Sequence, residues 1–290
     1  MSVQPELPTR DLDDRVAAAV AAVRAKSDRV ARVALTLGSG LGGAVDAIER
    51  AEVFATAELP AWPRSTVHGH AGKLVLGEWR GVPVVALAGR SHRYEGYTLD
   101  RVTFGVRVMR ALGAGTMVFT NAVGAIHPEL RPADLMLAVD HINFIGRRGL
   151  FTSRELVERR EGRRVATPYT PRLREALLAA AERARVKLHR GTLMGGHGPT
   201  YETAAEVRMA GYLGADVACM STVHEVTLAA ELGAEAASIS CITNRATGLS
   251  EGPLSHADVT DVADRAAASL RALIEAFLDA ESHAPKIAGR

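Results

Sequence analysis

The chain alternates short, almost wholly apolar runs with longer stretches in which apolar residues recur every three or four positions. The runs RVALTLG (32–38), KLVLGEW (73–79), VPVVALAG (82–89), TMVFTNAVG (116–124), DLMLAVD (134–140), RGTLMGG (190–196), VACMST (217–222) and AEAASISCIT (234–243) read as strands. Helical periods cover 99–112, 170–185, 202–213, 224–232 and 257–280. Residues 11–26 read as an Ala-rich amphipathic helix with acids in its first turn and bases in its last. Strands this apolar have no face to give to water, so helices must cover the sheet on both sides, which makes the fold class α/β. No repeat or linker divides the pattern, and one domain over residues 1–290 is expected, opening with a helical segment at 1–31. One stretch breaks the rhythm. Within residues 145–169, a variable loop, positions 147–164 carry seven arginines and few apolar residues. That composition fits a solvated helix or a loop; an anion-binding flap is the alternative.

Composition narrows the classes. With 290 residues and 47% hydrophobic content, the chain can bury a sizeable core. Its 35 basic and 33 acidic residues leave a net charge of +2, which suits neither a polyanion-coating protein nor an acidic tail. Aromatics at 4% argue against the base-stacking surfaces of single-stranded nucleic-acid binders, so no nucleic-acid partner is expected. No apolar run is long enough to span a bilayer and the N-terminus has no signal-like apolar region, so the expected location is cytoplasmic, without a membrane partner. Cys219 and Cys241 each sit inside an apolar run and read as buried thiols of a reducing compartment.

The most pointed chemistry lies in residues 195–245. Tyr201, Glu202 and Thr203 follow a Gly-Pro turn, Met220, Ser221 and Thr222 interrupt apolar packing, and a buried run closes on Thr243 and Asn244. A carboxylate after a tight turn and an amide ending a strand suit a flat heterocycle with donor and acceptor edges, because both are costly to bury unpartnered. Upstream, Gly38, Gly40 and Gly43 satisfy G-x-G-x-x-G, with Glu58 twenty positions on, so a dinucleotide-dependent enzyme has to be weighed. The Leu-Pro-Ala-Trp-Pro that follows does not continue an open-sheet half. The alternative is a single phosphate held by the loop's N–H groups and the Ser39 hydroxyl. Arg90 and His92 follow a buried strand two positions apart, on one side if the strand continues through them, and make a second anion-holding element. His68 and His70 lack the further ligands a zinc site needs. Taken singly, His141 reads as structural and His256 as the cap region of the last helix.

Together these segments resemble the trimeric purine nucleoside phosphorylases, whose close relatives include the methylthioadenosine phosphorylases. The matching stretches are LGSGLGG (37–43), PRSTVHGHAGKLVLG (63–77), GRSHRYEGY (89–97), TNAVGAI (120–126), DHINF (140–144), GPTYETAAEVRMAGYLGADVACMSTVHE (198–225), ITNRATG (242–248) and LSHADV (254–259), in the family's order. The resemblance implies a mixed, twisted, partly barrel-like central sheet flanked by helices, and a homotrimer. It implies phosphorolysis, in which phosphate displaces a purine from C1′ of a (deoxy)ribonucleoside, with inorganic phosphate as co-substrate and neither cofactor nor metal. Under it, Ser39, Arg90, His92, Ser221 and the Ala122 N–H bind phosphate, with His70 gating or assisting. Tyr94, Asn121 and Met220 belong to the nucleoside pocket, and His256 meets the 5′-hydroxyl. Tyr201 packs on the base, while Glu202 and Asn244, with Thr243 beside it, hold the N1–H, O6 and N7 edge. His92, Glu202 and Asn244 are the catalytic set. An amide at 244 suits 6-oxopurines such as inosine and guanosine, where a carboxylate would suit a 6-amino purine.

The chain also departs from the family. Val123 and Ala125 replace smaller residues, narrowing space beside phosphate and base. His224 stands where Pro is usual, and His197 precedes the Gly-Pro turn, adding an imidazole near the pocket entrance. The arginine-rich 145–169 stretch lacks the family's aromatic closure over the sugar, with Phe151 a remote candidate. These departures keep two alternatives open, a sibling phosphorylase for 5′-modified or analogue purine nucleosides and a catalytically weak nucleoside-binding homologue.

Overall fold

A computed structural model describes residues 9–38, 41–67, 72–146, 167–249 and 256–283. In chain order the elements are α1 (Thr9–Arg24), β1 (Val33–Leu37), β2 (Glu49–Ala55), β3 (Lys73–Trp79), β4 (Val82–Ala88), α2 (Leu99–Val102), α3 (Phe104–Ala111), β5 (Thr116–Ala125), β6 (Leu135–Asn143), α4 (Pro171–Ala184), β7 (Leu188–Gly195), α5 (Ala204–Tyr212), β8 (Val217–Cys219), α6 (Val223–Glu231), β9 (Glu235–Arg245) and α7 (His256–His283). Every expected strand and helix forms. The 99–112 helix is divided at Thr103, whose hydroxyl donates to the Leu99 carbonyl at 2.7 Å.

The sheet has two parts that share β5. An open part runs β2-β3-β4-β1-β5, with β1 parallel to both β4 and β5. The rest closes on itself: β5 pairs parallel with β9, β9 antiparallel with β6, β6 parallel with β7, β7 parallel with β8, and β8 antiparallel with β5. The mixed, partly barrel-like sheet implied by resemblance is therefore present.

Period-two alternation sends each strand's side chains into two separate cores. Ala34, Val85, Leu87, Met117 and Phe119 pack with α1, α3 and α6. Val33, Leu35, Val84, Ala86 and Val118 pack with α4 and α7. Helices on both faces are what the unbroken apolar strands required.

Two expectations change here. The glycine-loop segment leads into a 3-10 turn, Gly42–Ala47, and then into β2, an edge strand antiparallel to β3. No crossover helix follows it, so the G-x-G-x-x-G match is not a dinucleotide fold. Glu58 belongs to a separate 3-10 turn, Thr56–Glu58. β2 itself was not legible, because only Phe54 in it is buried and the alternate positions Ala51, Val53 and Ala55, though apolar, are exposed and set among charges. Among the described residues no helix is long and apolar enough to cross a membrane.

Candidate active site

On one edge of β5, pairing with β1 stops at Phe119 and pairing with β8 starts at Gly124. Between them, residues 120–123 have no strand partner on that edge, and the cleft opens there. It holds about 820 Å³ of empty space, part of it open to solvent, and its walls include Gly38, Arg90, His92, Tyr94, Asn121, Ala122, Tyr201, Glu202, Met220, Ser221, Thr243 and Asn244. A break in strand order is where α/β sheets leave room for ligands.

One end is basic. β4 ends at Ala88, and Gly89, with φ of +94°, turns the chain out of the strand. Arg90 and His92 therefore do not share a strand face as the spacing suggested; each reaches the cleft from an irregular segment. Arg90 is 6% exposed. Its Nη1 donates to Ser221 Oγ at 3.1 Å and Thr222 Oγ1 at 2.8 Å, and its Nη2 donates to the Thr120 carbonyl. Gly38 passes so close to β5 that a Cβ there would lie 2.9 Å from the Thr120 carbonyl oxygen, which excludes any larger residue.

His92 precedes a 3-10 turn, Arg93–Glu95, and stacks on Tyr94 with ring centroids 4.8 Å apart. Glu95 Oε1 accepts from the His92 backbone N–H at 2.6 Å and lies 3.2 Å from His92 Nδ1. Burial works to raise the Glu95 pKa, but hydrogen bonds from His92 and Thr66 outweigh it and hold the carboxyl down to about 2. A fixed carboxylate at Nδ1 favours the proton there and directs Nε2 elsewhere. Burial pushes the Tyr94 phenol up to about 12, so its O–H remains a donor.

The other end carries the amide and carboxylate. β9 runs in register with β5 up to Val123–Ile242 and resumes at Gly124–Asn244, so Thr243 is an extra residue. Such a bulge re-aims the side chain beside it. Thr243 Oγ1 lies 3.2 Å from the Val123 carbonyl and 2.9 Å from Asn244 Oδ1, and Asn244 Nδ2 donates to the Arg245 carbonyl at 2.9 Å. Opposite, α5 starts after Thr203, whose hydroxyl accepts from the Glu206 N–H while Glu206 Oε2 accepts from the Thr203 N–H. That capping box leaves Glu202 just outside the helix. Burial raises its pKa. Gly198, with φ of +67°, brings the Gly-Pro turn to Met220 and Tyr94, where a Cβ would sit 2.5 Å from the Met220 sulfur.

Asn121, Ala122, Tyr94, Met220, Tyr201 and Thr243 are thus brought to one cleft with Arg90, His92, Ser221, Glu202 and Asn244. Ser39, His68, His70, Phe151 and the arginine-rich 147–164 segment lie outside the described residues, as does the His256 side chain at the start of α7. Glu95 and Glu225 were not foreseen, and Thr222 was singled out without a role. Glu225, in an apolar helical run, could have been flagged as a carboxylate too costly to bury alone. Burial pushes the Cys219 thiol up to about 12, and that of Cys241 likewise, which suits inert packing rather than nucleophilic chemistry.

His224 lies in the helix behind the cleft. It is 2% exposed in the first turn of α6 and is not part of the cleft wall, whereas His197 is exposed. Burial, with Arg93, His141 and His197 nearby, pushes the His224 pKa down to about 4. An unfolded histidine titrates near 6.5, so the unfolded chain binds the extra proton first. The His224 contribution is fully present above about pH 6.5 and falls away as pH drops toward 4, by about 2 kcal/mol between pH 7.5 and 5. Urea unfolding at the two pH values should show this loss, and His224→Leu should lose less; equal losses would rule the assignment out.

Residues 32–279 match the family model described as the phosphorylase superfamily. Purine nucleoside phosphorylase 1 of Bacillus subtilis is 39% identical over 267 residues, covering 92% of this chain and 98% of that protein. A crystal structure of a Schistosoma purine nucleoside phosphorylase in complex with hypoxanthine superposes with a TM-score of 0.82 at 28% identity, covering 94% of this chain and 98% of its own. Isoform 2 of the Schistosoma mansoni enzyme, in complex with cytosine and ribose-1-phosphate, gives 0.78 at 29% identity, covering 92% and 96%. On the sheet, the cleft and these matches, the chain belongs to the phosphorylase superfamily, among the purine nucleoside phosphorylases.

Proposed function

We propose that this purine nucleoside phosphorylase acts on 6-oxopurine nucleosides, inosine and guanosine and their deoxy forms, releasing the base and forming the sugar 1-phosphate. The observation that carries this reading is the cleft's two unlike ends. Arg90 is held at Thr120 with Ser221 on its guanidinium and His92 in the same cleft, and Asn244 lies against Gly124. Four residues of strand separate those points by about 13 Å, which a base joined to a pentose and a phosphate can bridge.

Phosphate sits among Arg90, His92, Ser221 and the Ala122 N–H, with Ser39 and His70 assigned by resemblance. The glycosidic bond breaks through an oxocarbenium-like state, positive on the sugar and negative on the departing base. Phosphate below C1′ stabilises that cation and captures it. Asn244 donates toward O6/N7 as the purine becomes anionic, and Glu202 accepts from N1–H; both act where charge develops. Tyr201, 42% exposed, offers its ring to the base. Tyr94, Met220 and Asn121 border the sugar, and His256 serves the 5′-hydroxyl. Inorganic phosphate is the only co-substrate, and the enzyme works as a cytoplasmic homotrimer, both by resemblance.

The test measures phosphate-dependent base release from inosine, adenosine and 5′-deoxy-5′-thio nucleosides. Inosine should give the highest kcat/KM. Asn244→Asp, which turns the donor amide into an acceptor, should raise adenosine turnover relative to inosine. An unchanged ratio would refute the role of Asn244 in base choice, and preference for the thio nucleosides would refute the 6-oxopurine assignment.

A further inference from the structure

Of the groups that hold the Arg90 guanidinium, one is a carboxylate that stands outside the cleft and has no part in the chemistry above. Glu225, in the first turn of α6, places Oε2 3.3 Å from Arg90 Nη1, and the two side chains are only 4% and 3% exposed. Arg90 forms part of the cleft wall. Glu225 does not; with Arg90 it borders a smaller cavity behind, walled also by Thr56, Trp62 and Leu87. The guanidinium is therefore a partition between the two spaces, with the carboxylate at its back.

The contacts to Ser221, Thr222 and the Thr120 carbonyl are with neutral groups. A guanidinium this deeply buried is tenable only beside an opposite charge. Before phosphate arrives, Glu225 supplies it. The corner that completes the cradle is also unusual: Thr222 has φ of +67°, a conformation rare for a β-branched residue, and in it both Oγ1 and the neighbouring Ser221 Oγ reach the guanidinium. Such an outlier points toward function when the surroundings fix it. Ser221 is shared between the cradle and the phosphate site, so an error in the Arg90 position passes directly into the site.

We propose that Glu225 is a positioning residue for phosphate binding: its ion pair fixes the Arg90 guanidinium, and through it Ser221, in the orientation that receives the anion. The inference rests on the assignment of Arg90 and Ser221 to phosphate. Its physical content is preorganisation, because the anion meets donors already set and does not have to draw a solvated side chain into place. A carboxylate that served only to neutralise Arg90 would have the opposite effect, since removing it would tighten phosphate binding.

Glu225→Gln keeps the shape and an acceptor but removes the charge. Initial rates are measured with phosphate varied at saturating inosine, and inosine varied at saturating phosphate. The expected result is a phosphate KM raised at least about 10-fold, with the inosine KM within about two-fold. An unchanged or lowered phosphate KM overturns the proposal, as does a parallel change in both KM values. Glu225→Asp, which keeps the charge but withdraws it by one methylene, should raise the phosphate KM alone by a smaller factor and decides the matter if the glutamine variant does not fold. Wild-type rates separate the two levels of failure. Absent phosphate-dependent release from the wild type overturns the functional reading; normal wild-type release with a phosphate KM indifferent to position 225 overturns only the positioning role.

Discussion

Arg90→Met should lose about 3–5 kcal/mol of folding stability in addition to its activity, because it strands Glu225 as a buried carboxylate with no counter-charge. Surface ion pairs of this protein such as Arg271–Glu275 are worth about 1 kcal/mol or less because water already solvates both partners. The Arg90–Glu225 pair differs in having nearly all of both side chains out of solvent. The loss should appear as a lower urea midpoint, followed through the emission of Trp79, which is 1% exposed. Replacing both members, Arg90→Met with Glu225→Leu, should restore at least half of it, since apolar pairs of similar volume often substitute for buried ion pairs. A double variant no more stable than the single one would mean that the cost comes from the lost hydrogen bonds to Thr120, Ser221 and Thr222.

Asn244→Ala should lower kcat/KM for inosine by about 10²–10³-fold, the usual effect of removing one aimed donor, equivalent to about 3–4 kcal/mol. Folding stability should move by no more than about 1 kcal/mol, because Asn244 is only half-buried and its hydrogen bonds are to its immediate neighbours. Steady-state kinetics with inosine, alongside thermal unfolding, separates the two effects. A loss under ten-fold would mean that the amide does not face the charge that develops on the base.

The division between what the sequence revealed and what it did not has a physical basis. Strands buried on both faces announce themselves by composition, so six of the expected runs lie within two residues of the observed strands, while β6 runs three residues past DLMLAVD and β8 stops three residues before the end of VACMST. β2 escaped because an edge strand with one buried residue has no such signature. Glu202 and Asn244 were legible as polar residues set where apolar packing should be. The bulge that aims Asn244 was not, because an extra residue in a strand is defined by its partner's register and Thr243 looks like any strand residue. Likewise Thr203 and Glu206 stand at the spacing of a capping box, which moves the helix start from 202 to 204 and frees Glu202. The Arg90–Glu225 contact joins residues 135 positions apart, and no local pattern encodes such a pairing.

The unpaired edge of β5 sets the size of what can bind by counting. β1 stops where it does and β8 begins where it does, and the four residues between them, 120–123, give the length of the opening. A strand extended by two residues from either side would zip that edge closed while every charged and polar group kept its identity. Changes of chain length near Leu37 or Cys219 therefore threaten activity as surely as changes of chemistry, and a relative with an altered count there would accommodate a molecule of different reach.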